Sequence, residues 1–189
     1  MKNNRILLVI AIVSAFAFAF QSCDKIVADN AKYDLSMEMA SVDITIFPIS
    51  DTTSNLTLGT LVSSYNFDSF IHAKTLNKLG TSNIGSAKMV SCTLTILSPN
   101  DSNNFANFQN TNVNFFTNAN TTPFIAASVT NNPDVYAATL DVPVDTATEL
   151  KSYLTGTQLT YSLMGKMRRK TTDTIVCRVQ LKMDVHVHA

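Results

Sequence analysis

The chain has 189 residues and a mass of 20.6 kDa, with 14 Lys and Arg against 14 Asp and Glu. Its length therefore allows one domain, and its balanced charge gives no electrostatic footing for nucleic acid. With 46% apolar and only 15% charged residues it is no disordered chain, and its five glycines leave little material for phosphate-cradling loops.

Lys2 and Arg5 precede an almost unbroken apolar run from Ile6 to Phe20, followed by Gln21, Ser22 and Cys23. A positive start, a short apolar core and a small residue before the cut are the parts of a secretion signal; a membrane-spanning helix needs about 20 apolar residues. The stretch Phe20-Gln21-Ser22-Cys23 resembles a bacterial lipobox, in which the cysteine after the cut carries the lipid. Ser22 fits that motif, whereas Phe20 and Gln21 depart from its usual Leu and Ala or Ser, as in the relaxed lipoboxes of Bacteroidota. The resemblance implies that residues 1–22 are removed and that Cys23 anchors the protein, two or three acyl chains holding it essentially permanently. Loss of Lys2 and Arg5 leaves 12 basic against 14 acidic residues, a net charge of −2 that disfavours nucleic acid further.

Residues 23–32 are polar and short, a tether between lipid and a single domain over 33–189. Leu35, Met37 and Met39 then alternate with polar residues, as do Val42, Ile44 and Ile46, but the apolar parity switches at Ala40-Ser41. One continuous strand cannot bury both sets without a bulge or turn there. Leu56 to Val62 reads as a strand, and Asn66 to Lys74 as a two-turn helix with Phe67, Phe70 and Ile71 at helical spacing. Ala87 to Leu97 alternates cleanly, with Val90, Cys92, Leu94 and Ile96 expected on its buried face. Within the Asn-rich stretch 100–124, Val113, Phe115 and Phe116 mark a further strand; Phe124 to Val129 and Tyr136 to Val142 follow, joined by a turn at Asn131-Asn132-Pro133-Asp134. Asp145 to Leu154 reads as a short helix capped by Asp145 or Thr146, with Glu149 as a capping-box acid. Gln158 to Met167 and Thr174 to Val187 form a closing hairpin around a basic turn. About eight short strands, one or two helical turns and no βαβ rhythm predict an all-β, antiparallel sandwich, immunoglobulin-like or related.

The order of lipobox, a Ser-Val-Asp-Ile-Thr-Ile opening strand, the Ala87 to Ile96 strand ending at Ser98-Pro99, a Glu149-Leu150-Lys151-Ser152-Tyr153-Leu154 turn and a hairpin finish resembles the small β-sandwich lipoproteins of unassigned function common in Bacteroidota. That resemblance implies an envelope location and supplies no active site.

Cys92 and Cys177 share the apolar parity of their strands and point into one core, either as a disulfide, which export permits, or as two separate buried thiols. Burial would leave either thiol too weakly ionised for catalysis. His186 and His188 share one face of the last strand, but no His, Cys or carboxylate cluster completes a metal site, and no cofactor is implied. His72 reads as a helix-surface residue. No G-x-S-x-G elbow or nominated carboxylate pair supports a hydrolase. Two surfaces are candidates for contact. Arg168, Arg169 and Lys170 either touch anionic headgroups or form a solvated tip; Phe105, Phe108, Asn110 and Asn112 either line a ligand loop or belong to the core and its turns.

The expectation is a non-enzymatic lipoprotein of the bacterial envelope, on the outer rather than the inner membrane, anchored through Cys23. It would serve as a structural or protein-interaction module for another envelope component. The alternative is a glycan or small-ligand binder using loops 100–124, and a more distant one is an envelope hydrolase.

Overall fold

The computed structural model describes residues 31–189. The secretion signal, Cys23 and most of the tether lie outside the described residues. Among the described residues the chain forms nine strands: β1 Lys32–Glu38, β2 Val42–Ile46, β3 Leu56–Ser64, β4 Ile84–Ile96, β5 Phe108–Thr117, β6 Phe124–Val129, β7 Thr139–Val142, β8 Gln158–Met167 and β9 Ile175–His188. One helix, α1 Phe67–Lys74, lies between β3 and β4. Asn66 caps it through its side-chain oxygen, which accepts from the Ser69 N–H at 2.8 Å, while Phe67 and Ile71 are buried.

The strands make two antiparallel sheets. One runs β1–β9–β4–β7, with β2 also paired to β9; the other runs β3–β8–β5–β6. The expected sandwich is thus present, and its strand order selects the jelly roll from the related antiparallel sandwiches. β1 and β2 are two halves of one edge strand. Glu38 pairs with Lys182 and Val42 with Val179, so one extra residue at Ala40-Ser41 is absorbed as a bulge. That bulge is the break anticipated at the parity switch, and it keeps Met37, Met39, Val42, Ile44 and Ile46 all buried.

The two sheets nearly close on each other. At one side β3 passes so near β2 that a Cβ on Gly59 would lie 2.8 Å from the Thr45 carbonyl oxygen, a contact glycine alone permits. At the other side the Ser128 N–H donates to the Pro143 carbonyl at 2.9 Å. Between them lies one core, in which Phe115, Phe124 and Tyr153 stack edge-on or tilted at centroid separations of 5.3–6.0 Å.

Three expectations are corrected. The closing hairpin is absent: β8 pairs with β3 and β5 in one sheet, while β9 pairs with β1, β2 and β4 in the other, so the basic turn crosses between sheets. Val90 is 40% exposed, because β4 shifts register against β9 between Met89 and Ser91 and turns Val90 outward. The segment Asp145 to Leu154 is no helix: only Lys151–Tyr153 makes a 3-10 turn. Glu149 spends its carboxylate on the Ala87 N–H at 2.7 Å and the Lys151 N–H at 2.9 Å, so it ties this segment to the start of β4.

β9 has 14 residues, roughly 45 Å of extended chain. Its length separates two ends of the molecule. At one end the chain enters at Lys32, opposite His188, and the connection carrying α1 lies there too. At the other end lie four loops, 47–55, 97–107, 130–138 and 168–174.

Candidate functional site at the loop end

The basic turn and the Asn/Phe stretch, separated by some 60 residues in sequence, meet here. Arg168 reaches down between two loops, its guanidinium donating to the Ala106 and Asn132 carbonyls. Arg169 donates to the Ala106 carbonyl at 3.2 Å and to Asp134 Oδ1 at 2.7 Å. The fork-shaped guanidinium suits this bridging of several acceptors, which a lysine could not copy. Arg169 and Arg168 together hold the Asp134 carboxyl below the usual carboxylate range.

Asn132, buried, donates its amide N–H groups to the carbonyls of Phe105 at 2.8 Å and Phe108 at 3.1 Å. Thr171, also buried, ties the first loop to the last: its N–H donates to the Ile49 carbonyl and its hydroxyl accepts from the Ile49 N–H. Asn103 donates to Asp173 at 3.4 Å. In the first loop Asp51 accepts from Thr53 and Ser54, which lowers its carboxyl to about 2. All four loops are therefore cross-tied, and the end of the sandwich is a preformed surface.

That surface carries unusual apolar exposure. Phe47 is 71% exposed, Val135 68% and Tyr136 53%. Leu97 continues the row, its N–H donating to Val176, whose other neighbour across the sheet is Thr45, two residues before Phe47. Beside Tyr136 lies a shallow depression of about 240 Å³ bordered by Asp101, Asn104, Asn107, Asp134 and Arg169.

The sequence-derived candidates fall unevenly on this geometry. Phe105 and Phe108 are fully buried, so neither ring is available to stack on a ligand, and the ligand-loop reading loses both. Asn110 and Asn112 are half-buried on the outer face of β5 rather than in a loop. Arg168 and Arg169 hold protein carbonyls and Asp134, which removes them as free headgroup contacts. Lys170 is exposed and makes no side-chain hydrogen bond or ion pair among the described residues. The basic turn also lies at the end farthest from Lys32. Of the residues that carry this end, Asn132, Asp134 and Thr171 gave no signal beyond turn composition, Phe47 gave none, and Tyr136 read as the start of a strand that in fact begins at Thr139.

Cys92 and Cys177 are free buried thiols, not a disulfide. Cys92 sits opposite Leu181, and Cys177 opposite Ile96, four residues along the sheet. That offset is about 13 Å between backbones, beyond the roughly 7 Å a disulfide can span. Burial pushes both thiols up to about 12.

The histidines are dispersed. His72 pairs with Asp68 at 3.1 Å on α1. His186 contacts Asp34 through Nδ1 and lies beside Ser86 on the far side, giving Asp34, His186 and Ser86 in a row across β1, β9 and β4. The row has the order of a hydrolytic triad, yet it lies on an open sheet face. Among the described residues Ser86 makes no hydrogen bond to His186. No three His, Cys, Asp or Glu side chains among the described residues converge as metal ligands.

No protein-family model matches this sequence, and no curated protein matches it either. Among solved structures the chain is similar to a protein of infectious bursal disease virus, Gt strain, at 8% identity and a TM-score of 0.37, over 84% of this chain and 33% of that one. The chain thus spans about a third of the viral one. It is also similar to the decameric capsid protein of BFDV, at 13% identity and a TM-score of 0.32, over 82% of this chain and 99% of that one. The capsid structure of Helicobacter pylori bacteriophage KHP30 aligns at 9% identity with a TM-score of 0.27, over 83% and 100%. Likenesses this weak assign no function.

Proposed function

We propose that the protein is a lipid-anchored, non-enzymatic module of the bacterial envelope that holds its cross-tied loop end out toward another envelope component. One observation carries the reading: the chain enters at Lys32, at the opposite end of β9 from the four loops. A lipid on Cys23, nine residues earlier, would therefore leave Phe47, Val135 and Tyr136 facing away from the membrane. Exposed aromatic and aliphatic side chains on a rigid, polar-rimmed end are the makings of a protein contact.

Two measurements test it. Detergent-phase partitioning should place the protein with the lipids, and Cys23→Ala should move it to the aqueous phase; unchanged partitioning would remove the anchor. A photo-crosslinking residue at Phe47 or Tyr136 should give a discrete adduct in intact cells, whereas one at Lys78, at the anchor end, should not. Adducts from Lys78 alone would reverse the proposed orientation.

A further inference from the structure

The outer faces of the two sheets differ in chemistry. On the β1–β9–β4–β7 sheet, outward positions are charged: Asp34, Glu38, Lys88, Arg178, Lys182 and Asp184 are examples. The outer face of β3–β8–β5–β6 carries hydroxyls, amides and apolar groups instead. Its first row across the four strands is Thr57, Met164, Asn112 and Ser128. The second is Thr60, Ser162, Asn114 and Ile125. The third is Val62, Thr160 and Phe116. None of these rows holds a charge; Lys166 borders them beside Asn110.

Three strand spacings by four residue steps give a patch of roughly 14 by 13 Å. Within it the hydrogen-bonding groups are only partly used. Ser128 donates to Asn112 Oδ1 at 2.7 Å, and the Asn112 amide N–H groups make no hydrogen bond among the described residues. Among the described residues Asn114 Oδ1 has no partner, and its N–H meets only the weak sulfur acceptor of Met164 at 3.2 Å. Turning that amide outward toward a ligand hydroxyl thus sacrifices no strong bond. Val62 and Ile125 are 61% and 51% exposed beside these amides, and Phe116 is half-buried between them.

An occupant must match donor and acceptor pairs interleaved with apolar atoms, and must carry no charge. An ionic partner would lose solvation against this face and find no counter-charge. Sugars present hydroxyls around an edge and C–H groups on a face, and both halves are met here. We propose that this outer sheet face is a platform for a neutral oligosaccharide, with Asn112 and Asn114 as the hydrogen-bonding pair and Phe116 as the packing surface. The proposal does not rest on the lipid anchor or on the loop end.

Native affinity electrophoresis of the mature chain in gels containing neutral β-glucan, α-mannan or dextran, with acidic alginate as the contrast, tests it. At least one neutral polymer should retard the protein and alginate should not. Asn112→Ala with Asn114→Ala should weaken retardation about tenfold, the equivalent of one or two lost hydrogen bonds. Ser162→Glu, a charge set in the middle of the patch, should abolish it while thermal melting stays near that of the parent. Retardation by none of the neutral polymers, equal retardation by alginate, or undiminished binding by the folded Ser162→Glu variant would each overturn the proposal. So would a dimer that Ser162→Glu dissociates in the absence of any polysaccharide binding, since the face would then serve a second copy of the chain.

Discussion

Asn132 holds the loop end at a single point. Its buried amide donates to the carbonyls of two buried residues, Phe105 and Phe108, the first of which also accepts the Phe108 N–H. Asn132→Ala would take one donor from each, the Phe105 carbonyl keeping the Phe108 N–H, and the expected loss in urea unfolding is about 1–3 kcal/mol. A loss below 0.5 kcal/mol would mean the loops are not held this way. Asn132 was legible in the sequence only as a turn residue, because its partners lie some 25 positions away and leave no mark on local composition. Arg168 and Arg169 were misread as free charge for the same reason: their acceptors, the Ala106 and Asn132 carbonyls and the Asp134 carboxylate, lie 35 to 63 positions away in sequence.

Cys92 and Cys177 were legible as buried from strand parity alone, and their thiols make a pH prediction. Both are raised in the fold, from 9.0 to about 12, chiefly by burial. The neutral thiol is thus the folded form, so its contribution is complete below pH 9 and is lost as pH rises from 9 toward about 12. Each thiol steepens the fall in stability by up to about 1.4 kcal/mol per pH unit in that window. The double variant Cys92→Ala with Cys177→Ala should therefore lose stability with a shallower slope above pH 9, measured by denaturant titration at fixed pH. Equal slopes would show that the two thiols ionise as readily folded as unfolded.

At the scale of elements, the sequence carried strand identity well and strand irregularity poorly. Ile175, Cys177, Val179, Leu181, Met183, Val185 and Val187 alternate without a slip, and all are buried. β4 alternates too, yet a register shift at Val90 reverses the parity there, and the partner strand that imposes it is β9, far away in sequence. Ala40-Ser41 was different, because both sides of that bulge carry their own apolar set and so expose the mismatch locally. Removing Ser41 should heal the bulge: Met39 and Val42 would then stand two apart and both remain inward. Removing Asp43 instead must turn Val42 or the Ile44 and Ile46 pair to solvent, at about 1.5–3 kcal/mol for each large side chain. The expected order of stability is parent, then the Ser41 deletion within about 1 kcal/mol, then the Asp43 deletion well below. Equal losses for the two deletions would show that the bulge itself, not side-chain parity, sets the register.

Glu149 shows how a correct local signal can serve a different end. Asp145 does cap a turn, accepting from the Ala147 and Thr148 N–H groups, as its sequence position implies. The helix does not continue, because Glu149 and the Leu150 N–H engage Ala87 on β4, the Leu150 bond at 2.9 Å. Tertiary hydrogen bonds here replace those of a marginal helix too short to hold itself.

For the whole molecule, the two ends of the sandwich imply a mechanical anisotropy. Ala31 and Ala189 are adjacent, the Ala189 N–H donating to the Ala31 carbonyl at 3.2 Å, so both described termini leave from the same end. Lys170 lies at the other end. Antiparallel ladder bonds run perpendicular to the strands. A load between residue 31 and Lys170 therefore runs along β1, β2 and β9 and shears their ladder as a group, seven paired residues in β1 and five in β2. A load between residues 31 and 189 peels β1 from β9 one rung at a time. Under the proposed arrangement, with the lipid at one end and the partner at the other, the working load takes the shearing direction. Single-molecule pulling with handles at 31 and 170 should give unfolding forces several-fold above those with handles at 31 and 189. The Asn132→Ala variant should lower the first force while leaving the second nearly unchanged, because its bonds lie at the loop end and β1 peels from the other. Equal forces in the two geometries would remove the mechanical argument for placing the partner at the loop end.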